Sequence, residues 1–169
     1  MAKLKISFKP LFIIYMVICL YFSWTNIIFF YVLAIALHEY SHYCVANKLG
    51  YHIDSVVFSI SGAGLYGNCV FKEKDDILIS LAGPICNLIL IIILLAFWWV
   101  IPVSYLYTHD FLISNLSVMF FNLLPIYPLD GGRVLMSVLA IKNKDKNKIK
   151  KITLKISFVL GLYSPYCIP

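Results

Sequence analysis

The stretch from Ile77 to Ile101 reads ILISLAGPICNLILIIILLAFWWVI and contains no charged side chain. A helix needs about 20 consecutive, mostly apolar residues to cross the hydrocarbon core of a bilayer. This stretch exceeds that length, and Pro102 follows it as a residue that ends a helix. It therefore predicts a membrane-spanning helix and indicates that the rest of the chain also belongs to a membrane protein.

The composition of the whole chain agrees with a membrane protein. Of the 169 residues, 62% are hydrophobic and 13% are charged, whereas soluble domains average about 25% charged residues. So few charges would not cover a soluble globule of this length, which disfavours a soluble enzyme, and the long apolar runs disfavour a disordered chain. The five cysteines include no CxxC pair, which predicts buried free thiols rather than a disulfide scaffold.

Other apolar stretches flank the first one. We expect spans at 11–24, 27–49 and 111–141, the last broken at Pro125 and Pro128 because a proline removes a helix donor and clashes with the preceding turn. Two β-rich arms around a glycine-rich turn at 51–71 predict a hairpin, and their apolar composition predicts that it lies at the membrane. The predicted fold is an all-α polytopic membrane protein with about four to five transmembrane helices and a membrane-associated β-hairpin between the second and the third.

The basic residues predict the orientation of these spans. If the N-terminus is cytosolic and the spans alternate, all 14 Lys and Arg residues fall on the cytosolic side, and none falls in the opposite loops at 23–26 and 102–110. Cytosolic loops of membrane proteins carry such an excess of positive residues. The net charge of +6 is thus explained by orientation, and we expect no nucleic-acid partner. No small-residue cleavage site follows the N-terminal apolar stretch, so we expect it to be retained.

The sequence His38-Glu39-Tyr40-Ser41-His42 lies inside the second predicted span. Residues four apart share a helix face, so both imidazoles can reach one metal ion with Glu39 beside them. Neutral imidazoles suit Zn²⁺, which in catalytic sites keeps three protein ligands and one position for water. Glu39 would take a proton from that water and later deliver it to a leaving amine. The alternative is a pair of polar residues bonded between helices, but three ionisable groups so close together in a span favour a function.

Asp130 is the expected third ligand. It is an acidic residue in an apolar segment other than the span that carries Glu39. Two prolines and two glycines at 122–132 predict irregular backbone, which is tolerated at membrane depth only where it is buried in protein or lines a cavity. Both segments enter from the outer side, so His38, His42 and Asp130 fall in the cytosolic half of the bilayer and can meet. The alternative for Asp130 is a turn carboxylate beside Gly131.

HExxH in one apolar span, followed by NLLPxxPLDGG at 122–132, resembles the site-2 protease family of intramembrane zinc metalloproteases, peptidase family M50. This form of the second motif, together with few and short loops and no PDZ insertion, most resembles the bacterial sporulation branch, which includes the stage IV protease that processes a sigma-factor precursor. AGPICN at 82–87 is similar to the AGPxxN element of the family. These motifs cover roughly residues 10–141. We expect a protease core at 1–141, a basic cytosolic loop at 142–151 and a short apolar segment at 152–169.

The resemblance implies a site and a reaction. It implies Zn²⁺ as cofactor, hydrolysis of a peptide bond in or near a membrane segment of a protein substrate such as a sporulation sigma-factor precursor, and regulatory membrane proteins as further partners. The hairpin would receive an unwound substrate strand by edge addition. Asn122 would help to hold substrate or the developing oxyanion, although bonding between helices stays open for Asn122 and Asn87. The implied ligands are His38, His42 and Asp130, with Glu39 as the catalytic base.

Two other functions stay open at the level of the sequence. The same ligands could serve a metal transporter, which would need a polar path through the outer half, where His109 and Asp110 are almost the only such residues. The other is a catalytically inactive or truncated scaffold. Members of the sporulation branch continue into more spans and a nucleotide-sensing domain, whereas we interpret 152–169 as a natural short ending or a truncated one.

Overall fold

The computed structural model describes residues 5–8, 25–53, 55–59, 62–66 and 71–142. This part of the chain is mostly helical. The predicted span at 11–24, the basic loop after Lys142 and the apolar segment at 152–169 lie outside the described residues. In chain order the elements are β1 (Lys5–Phe8), α1 (Thr25–Lys48), β2 (Ser55–Ser59), β3 (Gly62–Tyr66), α2 (Glu73–Val100), α3 (Tyr105–Asn122) and α4 (Asp130–Lys142).

Within the described ranges, two helices are long and apolar enough to cross a membrane. They comprise 22 residues of α1, from Ile27 to Lys48, and all 28 residues of α2. At about 1.5 Å per residue, α2 is about 40 Å long, which exceeds the roughly 30 Å of a hydrocarbon core. α2 begins at Glu73, before the apolar stretch that predicts it, because its first turn carries acidic side chains that favour a helix N-terminus.

The span predicted at 111–141 consists of two helices in the structure. α3 begins at Tyr105, because a 3₁₀ turn at Pro102–Ser104 leads directly into it. α3 ends at Asn122, and residues 123–129, which contain both prolines of the stretch, separate it from α4. This arrangement places Asp130 at the start of α4, where the helix dipole favours a carboxylate.

Three short strands accompany the helices. β2 and β3 pair antiparallel between Ser55–Ser59 and Gly62–Tyr66, and β1 pairs parallel to β2. Tyr51 precedes β2 and Phe71 follows β3, and their rings contact each other edge to face with centroids 4.9 Å apart. The two ends of the segment that contains β2 and β3 therefore lie close together. β1 has no local turn signal in the sequence, because it pairs parallel with a strand that is distant in the chain.

α2 is the central helix of the described bundle and contacts α1, α3 and α4. Toward its N-terminus, Ile79 packs with buried residues of α1 and the following loop. Toward its C-terminus, Ile91 and Leu94 pack with Leu112 of α3. Between these two apolar clusters, α2 buries small or polar residues such as Gly83 and Asn87. The helix therefore offers a polar segment between two apolar ones.

Asp76 attaches α4 to α2. Its carboxylate accepts hydrogen bonds from the Arg133 guanidinium and, at 2.6 Å, from the Ser137 hydroxyl. The guanidinium also lies over the Phe71 ring, 5.9 Å from its centroid, which is a cation–π distance. Because Arg133 follows Asp130 by less than one helical turn, these contacts hold the segment of α4 that carries Asp130.

We expect Asp76→Ala to lower the free energy of unfolding by about 2 kcal/mol, because it leaves a mostly buried guanidinium without its carboxylate. The Asp76 and Arg133 side chains are 18% and 23% exposed. Thermal unfolding in detergent, followed by circular dichroism, measures the change. Asp110→Ala is the control, since its ion pair with His109 is more than 40% exposed on both sides and should contribute about 0–0.5 kcal/mol. Equal losses in the two variants would contradict the prediction.

Candidate metal centre

Two imidazoles of α1 and the first carboxylate of α4 meet beside α2. His38 Nε2 lies 2.9 Å and His42 Nε2 lies 3.3 Å from the same oxygen, Oδ2 of Asp130. One ligand atom from each residue lies within 4.8 Å of the others. The three residues are 1%, 3% and 7% exposed. The structure thus brings together the residues that the sequence predicts as ligands, although they lie on two separate helices.

α2 contacts the opposite edge of each imidazole. His42 Nδ1 lies 2.6 Å from the backbone oxygen of Ile79, and His38 Nδ1 lies 3.0 Å from Oδ1 of Asn87. A backbone oxygen can only accept, so His42 Nδ1 carries the hydrogen and donates it. Its Nε2 is then left with a lone pair that faces Asp130. Such contacts to the second ring nitrogen are the usual way in which proteins orient a metal-binding histidine.

The donor set fits a zinc ion. In the neutral imidazole of His42, the lone pair of Nε2 faces a carboxylate oxygen, so acceptor meets acceptor in a buried place. Burying such groups without a compensating partner is costly, and a divalent cation between them would remove the cost. Two imidazole nitrogens and one carboxylate oxygen are also a common set of protein ligands in catalytic zinc sites.

Gly83 allows α2 to approach the two rings. A Cβ atom at this position would lie 2.5 Å from both Cε1 and Nε2 of His38, and it would clash with Nε2 of His42 as well. Two of the three nearest atoms are thus ring nitrogens of the predicted ligands. The glycine of the AGPICN element is therefore a steric requirement of the site.

Two glycines fix the start of α4. A Cβ at Gly131 would lie 2.5 Å from the carbonyl carbon of Leu123, and one at Gly132 would lie 2.5 Å from the nitrogen of Tyr127. These obstacles are backbone atoms, so they cannot move away by side-chain rotation. The two glycines therefore allow the first turn of α4 to pack on the irregular segment before it, which sets the position of Asp130.

The two other predicted site residues have different surroundings. Glu39 is buried, with 9% of its surface exposed, directly after His38 on α1. Asn122 is half-buried at the end of α3, and its Nδ2 donates to the backbone oxygen of Val118 at 3.0 Å. This bond lies within its own helix. The expected contact of Asn122 with a substrate stays a prediction.

Sequence reasoning missed one contributor to the site. The Ile79 contact uses a backbone oxygen, which any residue would offer at that position, so no sequence signal marks it. Asn87 could be found through the AGPxxN resemblance, but its partner could not. The atom that a buried amide will contact on a neighbouring helix depends on the packing of the bundle. This packing is not visible in a local sequence pattern.

Similarity to known proteins agrees with this geometry. The model of the family described as "Peptidase family M50" matches residues 100–164. Stage IV sporulation protein FB of Bacillus subtilis (strain 168) is 32% identical over 148 residues, which cover 81% of this chain and 49% of that protein. A zinc metalloprotease of Methanocaldococcus jannaschii is 32% identical over 122 residues, which cover 70% of this chain and 36% of that protein. The chain thus spans half or less of the length of these curated relatives.

A solved structure extends the likeness to the fold. The site-2 protease from Methanocaldococcus jannaschii superposes with a TM-score of 0.75 and 26% identity, over 96% of this chain and 80% of that one. The match to the family model includes α3, the break after it and the start of α4, where Asp130 lies. By motifs, relatives and fold together, the chain is similar to peptidase family M50 and to the site-2 proteases.

Proposed function

We propose that this chain is a zinc-dependent intramembrane endopeptidase that hydrolyses a peptide bond in or near a membrane segment of a protein substrate. The observation that carries the proposal is the buried convergence of His38, His42 and Asp130, whose ligand atoms lie within 4.8 Å of one another. Two of these residues lie on α1, one of the two described helices that are apolar enough to cross a membrane. Similarity to family M50 supports the same reaction.

His38, His42 and Asp130 are the residues that would hold the zinc ion. When bound, the ion supplies Lewis acidity for the scissile carbonyl and lowers the pKa of water. The contacts of α2 with the Nδ1 atoms hold the rings in place, so that little reorganisation is needed for binding. Burial of all three residues also keeps bulk water away, which strengthens electrostatic interactions within the site.

Glu39 is the proposed general base. Its carboxylate would accept a proton from the attacking water and later donate that proton to the nitrogen of the leaving amine. Its position next to His38 keeps it close to one proposed ligand, and its burial places it in the same water-poor region. Asn122 is proposed to bind the substrate backbone or the developing oxyanion, because its NH₂ group has two hydrogens and the bond with Val118 uses only one of them.

We propose that the active site lies in the cytosolic half of the bilayer, in a multi-pass core with a cytosolic N-terminus. The charged first turn of α2 supports this placement. Asp76 lies seven residues before Gly83, which corresponds to about 10 Å along the helix. The ion pair of Asp76 with Arg133 lies on the same side of the site. Charged side chains are expected at the membrane boundary, and positive ones on its cytosolic side.

The substrate is proposed to bind in an extended form. A helical membrane segment hides its carbonyl groups in helix bonds, so it must unwind locally before hydrolysis. β2 and β3 form a hairpin that we propose to be membrane-associated, and β3 lies at the edge of the three-stranded order β1-β2-β3. An edge strand can take up an extended peptide by backbone hydrogen bonds. The resemblance to the sporulation branch makes a sigma-factor precursor the proposed substrate, with membrane proteins as regulators.

Glu39→Gln tests the proposal. We expect the variant to keep the zinc content of the wild type but to cleave a reconstituted sigma-factor precursor at least about 100-fold more slowly, because an amide cannot act as the base. Gel analysis of the precursor in liposomes measures the rate. Glu73→Gln is the control, since Glu73 is exposed at the start of α2. Full cleavage by Glu39→Gln would overturn the mechanism. Equal capture of the precursor by both forms, without cleavage by the wild type, would instead indicate a scaffold.

A further inference from the structure

Asn87 connects the candidate site to a third helix. Its side chain is fully buried, with an exposure of 0%, in the middle of α2. Oδ1 lies 3.0 Å from His38 Nδ1 on α1, and Nδ2 donates to the backbone oxygen of Asn115 on α3 at 3.3 Å. One amide thus bridges two neighbouring helices, and one of its two contacts is with a proposed metal ligand.

The backbone of α3 decides which way this amide points. The oxygen of Asn115 can only accept a hydrogen bond, so the NH₂ group of Asn87 must face it. The amide oxygen of Asn87 must then face His38. In the flipped orientation, two oxygens would oppose each other at Asn115, and both residues are fully buried.

The orientation of the amide in turn decides the tautomer of His38. Since Oδ1 of Asn87 has no hydrogen, His38 Nδ1 must carry one and donate it. An imidazole that binds a metal ion is neutral and has one N–H group, so its lone pair must then lie on Nε2, the atom that is 2.9 Å from Oδ2 of Asp130. A metal ion binds to this lone pair, and the other tautomer would present a hydrogen in its place.

We propose that Asn87 is a positioning residue that sets the tautomer and ring orientation of His38 for the metal ion, and that the Asn115 backbone oxygen holds Asn87 in the required orientation. This inference rests on the proposed zinc site. His42 obtains the same help from the Ile79 backbone oxygen, which no substitution removes. Of these two orienting contacts, the one with His38 is thus made by a side chain, that of Asn87.

The first test compares the zinc affinity of detergent-purified variants, measured by competition with a chromophoric chelator. Asn87→Leu has a similar branched shape but no acceptor for Nδ1, and we expect its zinc affinity to fall about 10–100-fold. Asn87→Asp keeps an acceptor for Nδ1 but places an oxygen against the Asn115 backbone oxygen, so it should recover only part of the loss. Asn115→Ala is the matched control, because it removes a buried amide from the same region while its backbone oxygen stays. An equal loss of zinc affinity in Asn115→Ala would attribute the effect to packing and overturn the proposal.

The second test reads the tautomer directly in the metal-free protein by ¹⁵N chemical shifts of the imidazole rings. In the wild type, Nδ1 of both His38 and His42 should carry a hydrogen, because each faces an oxygen that can only accept. In Asn87→Leu, His38 should shift toward the Nε2–H form while His42 stays unchanged as an internal reference. An unchanged His38 would overturn the inference. Because this measurement needs neither zinc nor cleavage, its failure is distinguishable from a failure of the proposed protease function.

Discussion

Purified from membranes in detergent, the wild-type chain should contain about one zinc ion per molecule, and His38→Ala and Asp130→Ala should contain less than about a tenth of that. The physical reason is that a buried three-ligand site loses its geometry when one donor is removed. Both residues are needed although 92 positions separate them in the chain. Elemental analysis by mass spectrometry, after removal of loosely bound metal, measures the zinc content.

Controls for the zinc measurement come from the same residue types. His109→Ala removes a half-exposed histidine that pairs with Asp110, away from the candidate site, and it should leave the zinc content unchanged. Normal zinc in Asp130→Ala would show that α4 does not supply a ligand. Absence of zinc from a folded wild-type chain would overturn the metal site itself and favour a role without catalysis.

Gly83→Ala should remove zinc although it adds only one methyl group to a residue that is not itself a ligand. The new Cβ would lie 2.5 Å from His38 Nε2 and would also clash with His42. Because α2 holds both rings at Nδ1, they cannot turn away without losing those contacts. We expect zinc affinity to fall about 100-fold or more, at the upper end of the effects known for residues around metal ligands.

Ala96→Val is the control for the effect of added volume on α2. It adds carbon atoms to the same helix at an exposed position, and both its zinc affinity and its unfolding temperature should match those of the wild type. The chelator competition used for Asn87 also measures Gly83→Ala. If Gly83→Ala bound zinc as tightly as the wild type, α1 and α2 would have to lie farther apart than they do in the structure.

The residues of the candidate site could be predicted where a local sequence pattern marks them. The spacing of His38 and His42 places them on one helix face whatever the tertiary structure is. Asp130 could be found because an acidic residue in an apolar segment is rare and costly. The structure places these three residues together, while the role of each stays a prediction. Glu39 also follows from the local pattern.

Other features depend on packing, and the sequence does not reveal them. The first turn of α2 is charged, so an apolar-run criterion misses it although the helix continues to Glu73. The start of α3 at Tyr105 depends on a single 3₁₀ turn after Ile101. The pairing of β1 with β2 and the contact of Ile79 with His42 join distant parts of the chain through backbone atoms. Backbone atoms are common to all residues, so their contacts leave no mark in the sequence.

The order in which the ribosome makes these helices gives α2 a second role. Asp130 is synthesised 92 residues after His38, which takes about 5–20 seconds at ordinary rates of translation. In a chain inserted into the membrane as proposed, two imidazoles and a carboxylate would lie there during that interval without their partner on α4. Asn87 follows His38 by only 49 residues, so α2 can offer hydrogen bonds to α1 during biogenesis well before the last ligand arrives. The same contacts that orient the finished site would thus protect its first half from premature exposure to lipid.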